Sequence, residues 1–339
     1  MRVAILGTGL IGASIGLGLR ERVKGVYVVG YDRSRQAADG ARKRAAVDEI
    51  ASSATEAVRE ADVIILAVPV LAVKPLLEEI KGVISPEAVI TDTGSSKAEI
   101  MRWAREILPG HAGVVAGHPM AGKTEFGPSA AEETLFEGAR WVIVPAVEAS
   151  PEAITIVTNI ATTLGAEPMI MDAEEHDAYI AAISHLPMMA ATALFSMGRA
   201  SEAWPELSVL AAGGFKDMTR LAGTDPDMAY DIAMTNRENI AHWIDRYVVA
   251  LQELRRRLMD VEGEDAFYRL LSATNIDHNE FKYGKVGREE RVHGERVEST
   301  GMTDYLAGGW IRDKFNEVMS DSEKRLREMD EDERARRRI

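Results

Sequence analysis

Cysteine is absent from the 339 residues, which excludes disulfides, zinc–thiolate sites and thiol nucleophiles. No stretch of 18 consecutive apolar residues occurs, and Met1 leads directly into the strand-like run Arg2-Val3-Ala4-Ile5-Leu6. The expectation is a cytoplasmic chain with neither a membrane span nor a signal peptide. The HExxH pattern is missing, and His176 and His185, nine residues apart, fall on opposite faces of a continuous helix, so no metal site is expected. Positive charge is also in deficit. With 40 Lys and Arg against 54 Asp and Glu, the net charge is −14, and no basic stripe is visible before the last residues. That argues against a nucleic-acid partner. The same field requires that an anionic substrate meet a local cation.

What is present is apolar content of 46%, enough for sizeable cores, in a chain longer than one usual domain. Up to about residue 145, short apolar runs alternate with helical segments. Ala61–Pro69, Ala88–Asp92, Gly113–Gly117 and Arg140–Pro145 are nearly continuous, as in strands buried on both faces of a mostly parallel sheet. The fold class read from this is α/β: an N-terminal Rossmann-type doubly wound sheet followed by an all-α C-terminal domain. The boundaries expected are 1–150 for a dinucleotide-binding domain, 151–260 for a helical substrate and dimerisation domain, and 261–339 for a charged extension.

From Pro151 the texture changes. A helix over Pro151–Leu164 and a short apolar run, Pro168–Met171, lead into a long helical region. Glu174–Ala200 is rich in Ala, Met and Leu on more than one face and contains Pro187, so it is expected to be buried nearly all round. In so small a domain that burial calls for a second subunit, a homodimer through the helices; a single-chain bundle is the alternative. Ala229–Met259 reads as another helix, ending in three arginines suited to a helix C-terminus. The polar, glycine-containing stretch 279–300 and the nearly all-charged 321–339 read as an appendage, mobile or helical.

The richest local signal is Gly7-Thr8-Gly9-Leu10-Ile11-Gly12, between a strand pattern and a helix pattern. Such glycines turn tightly and let backbone approach a pyrophosphate, while a helix start offers free N–H groups to phosphate. Asp32 follows about 20 residues on, at the end of a second strand, where a carboxylate accepts ribose hydroxyls and favours NAD. Arg33 and Arg35 leave NADP open, since a guanidinium there can hold a 2′-phosphate. Val68 and Pro69, closing a third strand, join the cofactor-binding set.

In an open α/β sheet, ligands lie beyond the C-terminal strand ends. Two segments qualify: Thr93-Gly94-Ser95-Ser96-Lys97 and His118-Pro119-Met120-Ala121-Gly122. His118 is the best general-base candidate, because imidazole titrates near neutrality and an oxidised alcohol must lose its hydroxyl proton. A histidine before proline is otherwise merely a turn residue.

Six motifs in order, GLIGASIGLGL (9–19), TDTGSSK (91–97), GHPMAG (117–122), HDAYIAAISHLP (176–187), FKDMTRLAG (215–223) and NRENI (236–240), resemble the prephenate/arogenate dehydrogenase family over roughly residues 1–260. The resemblance implies NAD(P)-dependent oxidative decarboxylation in tyrosine biosynthesis, of prephenate to 4-hydroxyphenylpyruvate or of arogenate to tyrosine. It implies that His118 takes the ring C4 hydroxyl proton, that Ser95 orients that hydroxyl, and that Arg220 is the cation for a substrate carboxylate. Arg220 is otherwise a surface ion-pair partner. His185 is placed near the substrate by the resemblance, or is a satisfied core histidine. Glu125 is a candidate gate. His176 with Asp177 reads as a helix-start feature rather than a catalytic pair.

One departure is Met188. Relatives often read SHLPH where this chain reads SHLPM, and the missing histidine is associated with the substrate side chain, so the choice between prephenate and arogenate stays open. The partner expected is a small dicarboxylate. Residues 261–339 lack the strand–helix alternation of an ACT-type regulatory domain, and with the dehydrogenase pattern starting at Met1 no N-terminal chorismate mutase is expected either. A dinucleotide-binding, non-catalytic regulatory protein is the alternative from another class.

Overall fold

The computed structural model describes residues 1–282 apart from Thr124. Most of the expected polar stretch at 279–300, and all of the charged segment at 321–339, lie outside the described residues. Two compact units divide the chain, Met1–Arg246 and Tyr247–Ile339.

The first unit opens with β1 (Arg2–Leu6), α1 (Leu10–Arg22), β2 (Tyr27–Tyr31), α2 (Arg35–Lys43), β3 (Glu49–Ile50), α3 (Ala54–Val58), β4 (Val63–Leu66), α4 (Val70–Ile80), β5 (Val89–Asp92) and α5 (Ala98–Ile107). These strands form a parallel sheet of order β3-β2-β1-β4-β5. Alternating residues of β1 serve opposite faces: Val3 and Ile5 join one apolar cluster, Ala4 and Leu6 the other, and all four are fully buried. Burial on both faces is why these strands read as continuous apolar runs.

Next come β6 (Val115–Pro119), β7 (Arg140–Pro145), α6 (Pro151–Thr163) and β8 (Glu167–Ile170), which build a three-stranded sheet. Here β7 runs antiparallel to β6 and parallel to β8. A parallel bridge between Ile90 and Val114 aligns β6 with β5. The C-terminal ends of β1, β4, β5 and β6 therefore face the same way.

The helical part follows: α7 (Ala173–Ile180), α8 (Leu186–Arg199), α9 (Trp204–Leu210), α10 (Gly213–Thr219), α11 (Pro226–Thr235) and α12 (Arg237–Leu258), the last running through the unit boundary. A π-helical turn, Ala181–His185, joins α7 to α8. Pro187 supplies the reason: it has no N–H to give Ile183 and its ring crowds that carbonyl, so the backbone widens there. The widened turn resets the helical phase, and His176 and His185, expected on opposite faces, are both buried. The helix expected over Ala229–Met259 also breaks, at Asn236 between α11 and α12. In the second unit α13 (Glu264–Lys282) is helical.

Ala173–Arg199 is long and apolar enough by composition to cross a membrane, although no unbroken run of 18 apolar residues exists. Within one chain only 28% of its most apolar window is buried, and Ile183 and Met197 are each 69% exposed, so a single chain does not supply the all-round cover expected for this segment.

Helix capping sorts the nucleotide domain into two groups. Ser34, Ser53 and Ser150 accept N–H bonds at the starts of α2, α3 and α6. In contrast α1, α4 and α5, which start just beyond the C-terminal ends of β1, β4 and β5, have no side-chain cap of their own. Carboxylates of the helical domain close two of them. Asp231 of α11 accepts from Leu71 N at 2.9 Å. Asp177 of α7 accepts from Lys97 N at 2.7 Å and Ala98 N at 3.0 Å. Among the described residues, the start of α1 receives neither.

Candidate active site

The open start of α1 is the glycine turn. Gly7 has φ +96, and a Cβ there would lie 2.2 Å from the Ala67 carbonyl oxygen; one on Gly12 would lie 1.9 Å from the Gly7 oxygen. Both glycines are imposed by the protein's own backbone. A Cβ on Gly9 would meet nothing within 4 Å, so the space over this residue is left for something else. Leu10, Ile11 and Gly12 precede the first intrahelical bond, Ala13 N to Gly9 O at 3.0 Å, and their N–H groups have no helical partner. Asp32 accepts from Thr8 N and Ser34 N, each at 2.8 Å, which fixes its carboxylate beside the turn. Arg35 pairs with Asp39 at 3.2 Å, while Arg33 is exposed at the β2 end. Val68 packs toward the Gly7 turn, and Pro69 precedes α4. These groups fit a dinucleotide.

At the ends of β5 and β6 lies a buried polar cluster. His118, next to last in β6, keeps 8% of its surface accessible. Its Nδ1 is 2.9 Å from His176 Nε2, and His176 Nδ1 is 2.7 Å from Asp177 Oδ1. His176 is fully buried. The expected helix-start role of His176 and Asp177 is thus corrected: Asp172 caps α7, accepting from Glu174 N at 2.9 Å, and the pair in the next turn reaches into the nucleotide domain.

Lys97 is fully buried and forms an ion pair with Asp92, donating also to Gly117 O at 2.7 Å. Asp92 in turn accepts from Gly94 N at 2.7 Å and Gly117 N at 3.2 Å. Lys97 and Asp92 therefore hold the backbone at Gly117 and Gly94, immediately before His118 and Ser95. Burial pushes the Lys97 ammonium down, against the charges of Asp92 and Asp177. His118 is held well below its usual range, first by burial and then by His176, Lys97 and His185. It is neutral near pH 7, as a base must be.

His185 sits at the end of the π turn, 1% exposed. Asn236 Nδ2 donates to Asp177 O at 2.7 Å and lies 3.1 Å from His185 Nδ1. With Nδ1 accepting, the proton resides on Nε2, a buried atom without a hydrogen-bond partner among the described residues. Burial lowers His185 to about 4, with Asp177 and the Ser95 backbone opposing the shift. Ser95 thus adjoins His185, and Ser96 Oγ is 2.7 Å from Thr235 Oγ1.

The remaining expected residues lie elsewhere. Met188 is buried in an apolar cluster with Ala181, Ile232 and Ile240. Arg220 is exposed on a short turn, Arg220–Gly223, packed against α8, and forms no ion pair among the described residues. Glu125 is exposed between β6 and β7. The residues not foreseen are Asp92, Lys97, His176, Asp177 and Asn236. Two signals were available: a carboxylate closing the apolar strand AVITD, and the adjacency of His176 and Asp177.

A Rossmann-type sheet with one helix start left open for phosphate, and a neutral imidazole at the same strand-end edge, defines a nucleotide-dependent oxidoreductase. More narrowly, the chain belongs to the prephenate dehydrogenase family. Residues 15–170 match the model of the prephenate dehydrogenase nucleotide-binding domain, and residues 172–273 that of the dimerization domain. The chain is 34% identical to prephenate dehydrogenase of Bacillus subtilis (strain 168) over 291 residues, 85% of this chain and 75% of that protein. Prephenate dehydrogenase of A. aeolicus, solved with hydroxyphenyl propionate and NAD+, is similar with TM-score 0.77 and 28% identity, covering 83% of this chain and 98% of that one. Synechocystis arogenate dehydrogenase has TM-score 0.71 and 30% identity, covering 83% of this chain and all of that one.

Proposed function

We propose that this protein is a prephenate dehydrogenase of tyrosine biosynthesis, converting prephenate and NAD+ to 4-hydroxyphenylpyruvate, CO2 and NADH. The observation that carries this reading is the neutral, nearly buried His118 on the edge that also bears the uncapped start of α1. Gly7, Thr8, Gly9, Leu10, Ile11 and Gly12 would hold the pyrophosphate, Asp32 the ribose hydroxyls, and Val68 and Pro69 the adjoining strand end. Arg33 is the residue that would meet a 2′-phosphate if NADP were used. The cofactor, when bound, supplies the hydride acceptor.

His118 takes the proton of the C4 hydroxyl through Nε2. Ser95, beside His185, orients that hydroxyl, and His185 lies near the substrate. Arg220, exposed and unpaired among the described residues, is the cation for a carboxylate in a chain of net charge −14. Glu125 gates the site. Loss of the ring carboxylate as CO2 leaves an aromatic ring, which supplies the driving force.

A second reading, arogenate as substrate, is favoured by Met188. An apolar, core-packed side chain stands three residues beyond His185, where relatives often carry histidine. Steady-state assays with prephenate and arogenate, each with NAD+ and NADP+, test both readings. Highest kcat/KM for prephenate with NAD+ supports the first, preference for arogenate the second, and no turnover of either removes both.

The functional form is a cytoplasmic homodimer through the helical domain. The exposed apolar side chains of α8 and α9, Met197, Val209 and Leu210 among them, need a cover of about their own polarity. Light scattering on the purified protein should give twice the 37.1 kDa chain mass.

A further inference from the structure

Two histidines and an aspartate form a continuous chain from the strand-end edge into the helical domain. His118 Nδ1 meets His176 Nε2 at 2.9 Å, and His176 Nδ1 meets Asp177 Oδ1 at 2.7 Å. All three are buried. We propose that Asp177, through His176, sets the tautomer of His118, keeping the proton on Nδ1 and an open lone pair on Nε2. His176 and Asp177 are then positioning residues for the base. The proposal rests on the reading of His118 as that base.

The assignment follows from which atoms can donate. Both oxygens of Asp177 already accept backbone N–H groups, Oδ1 from Lys97 and Oδ2 from Ala98. A carboxylate in that role accepts again, so the proton of the His176–Asp177 contact belongs to His176 Nδ1. In neutral His176 that leaves Nε2 as a lone pair. The only bond His176 Nε2 can then form with His118 is to accept its Nδ1–H. His118 Nε2, with no partner among the described residues, is left unprotonated. In the neutral pair this is the one arrangement that satisfies every contact.

Rotation is restrained as well. The rings of His118 and His176 meet edge to face, with centroids 5.1 Å apart and planes at 69°. His176 is held in register by the Asp172 cap one turn earlier, and Gly117, beside His118, is held by Lys97 and Asp92. Asp177 carries two duties, closing the start of α5 and orienting the histidines, so the relay exists only when the helical domain is docked on the nucleotide domain.

The chemical consequence is a base that never has to find its tautomer. As Nε2 takes the C4 hydroxyl proton, positive charge grows on the His118 ring and strengthens its Nδ1–H bond to His176. His176 in turn leans on the anionic Asp177. The proton stays on His118 Nε2 and the relay stabilises the cation without receiving it, as a buried aspartate does behind a triad histidine. The low basicity imposed on His118 by burial and by Lys97 is partly offset in this way.

The test uses the full-length protein labelled with 15N at histidine, and NMR signals are assigned by their loss in His118→Asn and His176→Gln. In the unsubstituted protein, long-range 15N–1H correlations should show Nδ1 protonated and Nε2 bare in both His118 and His176. In Asp177→Asn an amide N–H can face His176 Nδ1, reversing its tautomer and placing a proton on His118 Nε2. Turnover with the preferred substrate should then fall about 10²-fold or more in kcat, with KM and NAD+ affinity within about threefold of the parent. His176→Gln keeps an acceptor for His118 Nδ1 and should lose less than His176→Phe. A parent His118 protonated on Nε2, or a folded Asp177→Asn with unchanged kcat, overturns the proposal. If Asp177→Asn does not fold, the tautomer of His118 in the parent and in His176→Phe decides. If neither prephenate nor arogenate is turned over, the functional reading has failed, and the tautomers still decide the relay.

Discussion

Asp231 and Leu71, 160 residues apart in the chain, are joined by a 2.9 Å hydrogen bond that makes a side chain of the helical domain the cap of α4. Asp177 does the same for α5. The nucleotide domain thus borrows two helix caps from the domain that follows it, while α1 is left open. Docking of the helical domain and completion of the strand-end edge become one event, because each uncapped helix start leaves N–H groups unsatisfied.

Removing the Asp231 cap should therefore cost stability. Asp231→Ala is expected to lower unfolding free energy by about 1–2 kcal/mol, whereas Asp231→Asn, which keeps an acceptor oxygen for Leu71 N, should lose much less. Urea denaturation followed by tryptophan fluorescence measures both. Equal losses in the two variants would mean that the hydrogen bond is not what the residue contributes.

Gly7 and Gly9 should behave oppositely. Gly7→Ala meets the Ala67 carbonyl at 2.2 Å and forces φ +96 on alanine, so the protein should express poorly or melt early. Gly9→Ala meets nothing, so its melting temperature should be near that of the parent. Its KM for the dinucleotide should nonetheless rise at least about tenfold, because the methyl occupies the space a pyrophosphate would approach. Calorimetric titration with NAD+ separates the two effects.

His118→Asn should lower kcat by about 10²- to 10⁴-fold while leaving cofactor affinity intact, the range usual for loss of a general base. Because burial, with His176, Lys97 and His185 beside it, holds His118 well below 6.5, the acid limb of kcat/KM in the parent should lie below that pH. A limb centred above 6.5 would assign the titration to another group.

Arg220→Ala should act mainly on KM. A carboxylate present in both substrate and transition state gives mostly uniform binding. Since Arg220 is exposed and forms no ion pair among the described residues, the variant should melt with the parent, unlike one that breaks a structural salt bridge. Steady-state kinetics beside a melting curve tests both statements, and a fall in kcat at unchanged KM would move Arg220 into the chemistry.

Stability should decline in acid. His185 is lowered from 6.5 to about 4 in the folded protein. Between those values the unfolded chain binds a proton that the native chain refuses, so stability is full above pH 6.5 and is lost as pH falls toward 4. His118 acts in the same direction. Urea midpoints at pH 7 and pH 4.5 should differ accordingly, and His185→Gln should flatten the difference. A midpoint independent of pH across that window would contradict the burial of both imidazoles as neutral groups.

Much of the nucleotide domain was legible in the residue pattern, for a local reason. Strands buried on both faces must be continuously apolar, and a pyrophosphate turn must be glycine where backbone meets backbone, so β1, β2, β4, β5 and residues 7–12 announce themselves. His118 and Ser95 could be singled out as candidates because strand ends mark the crevice. The helical domain was harder. Periodicity carried no trace of the π turn before Pro187, so His176 and His185 were read onto opposite faces, and Asp177, which binds a helix 80 residues earlier, resembled an ordinary helix-start acid.

By itself, then, the sequence determined the α/β class, the order of elements in the first domain and the glycine turn, and it singled out His118 as the candidate base. Those depend on contacts between neighbours in the chain or on steric rules that single residues obey. Only the tertiary structure decided that His176 and Asp177 stand behind His118, that Lys97 and Asp92 hold the turns beside it, and that Asp231 and Asp177 close α4 and α5. The Lys97 and Asp92 contacts join two strand ends of one domain, the others cross from the helical domain, and none of their partners has a periodic signature. Hydrogen bonding between distant residues is specified by where the apolar cores place the backbone, and that placement exists only once the chain has folded.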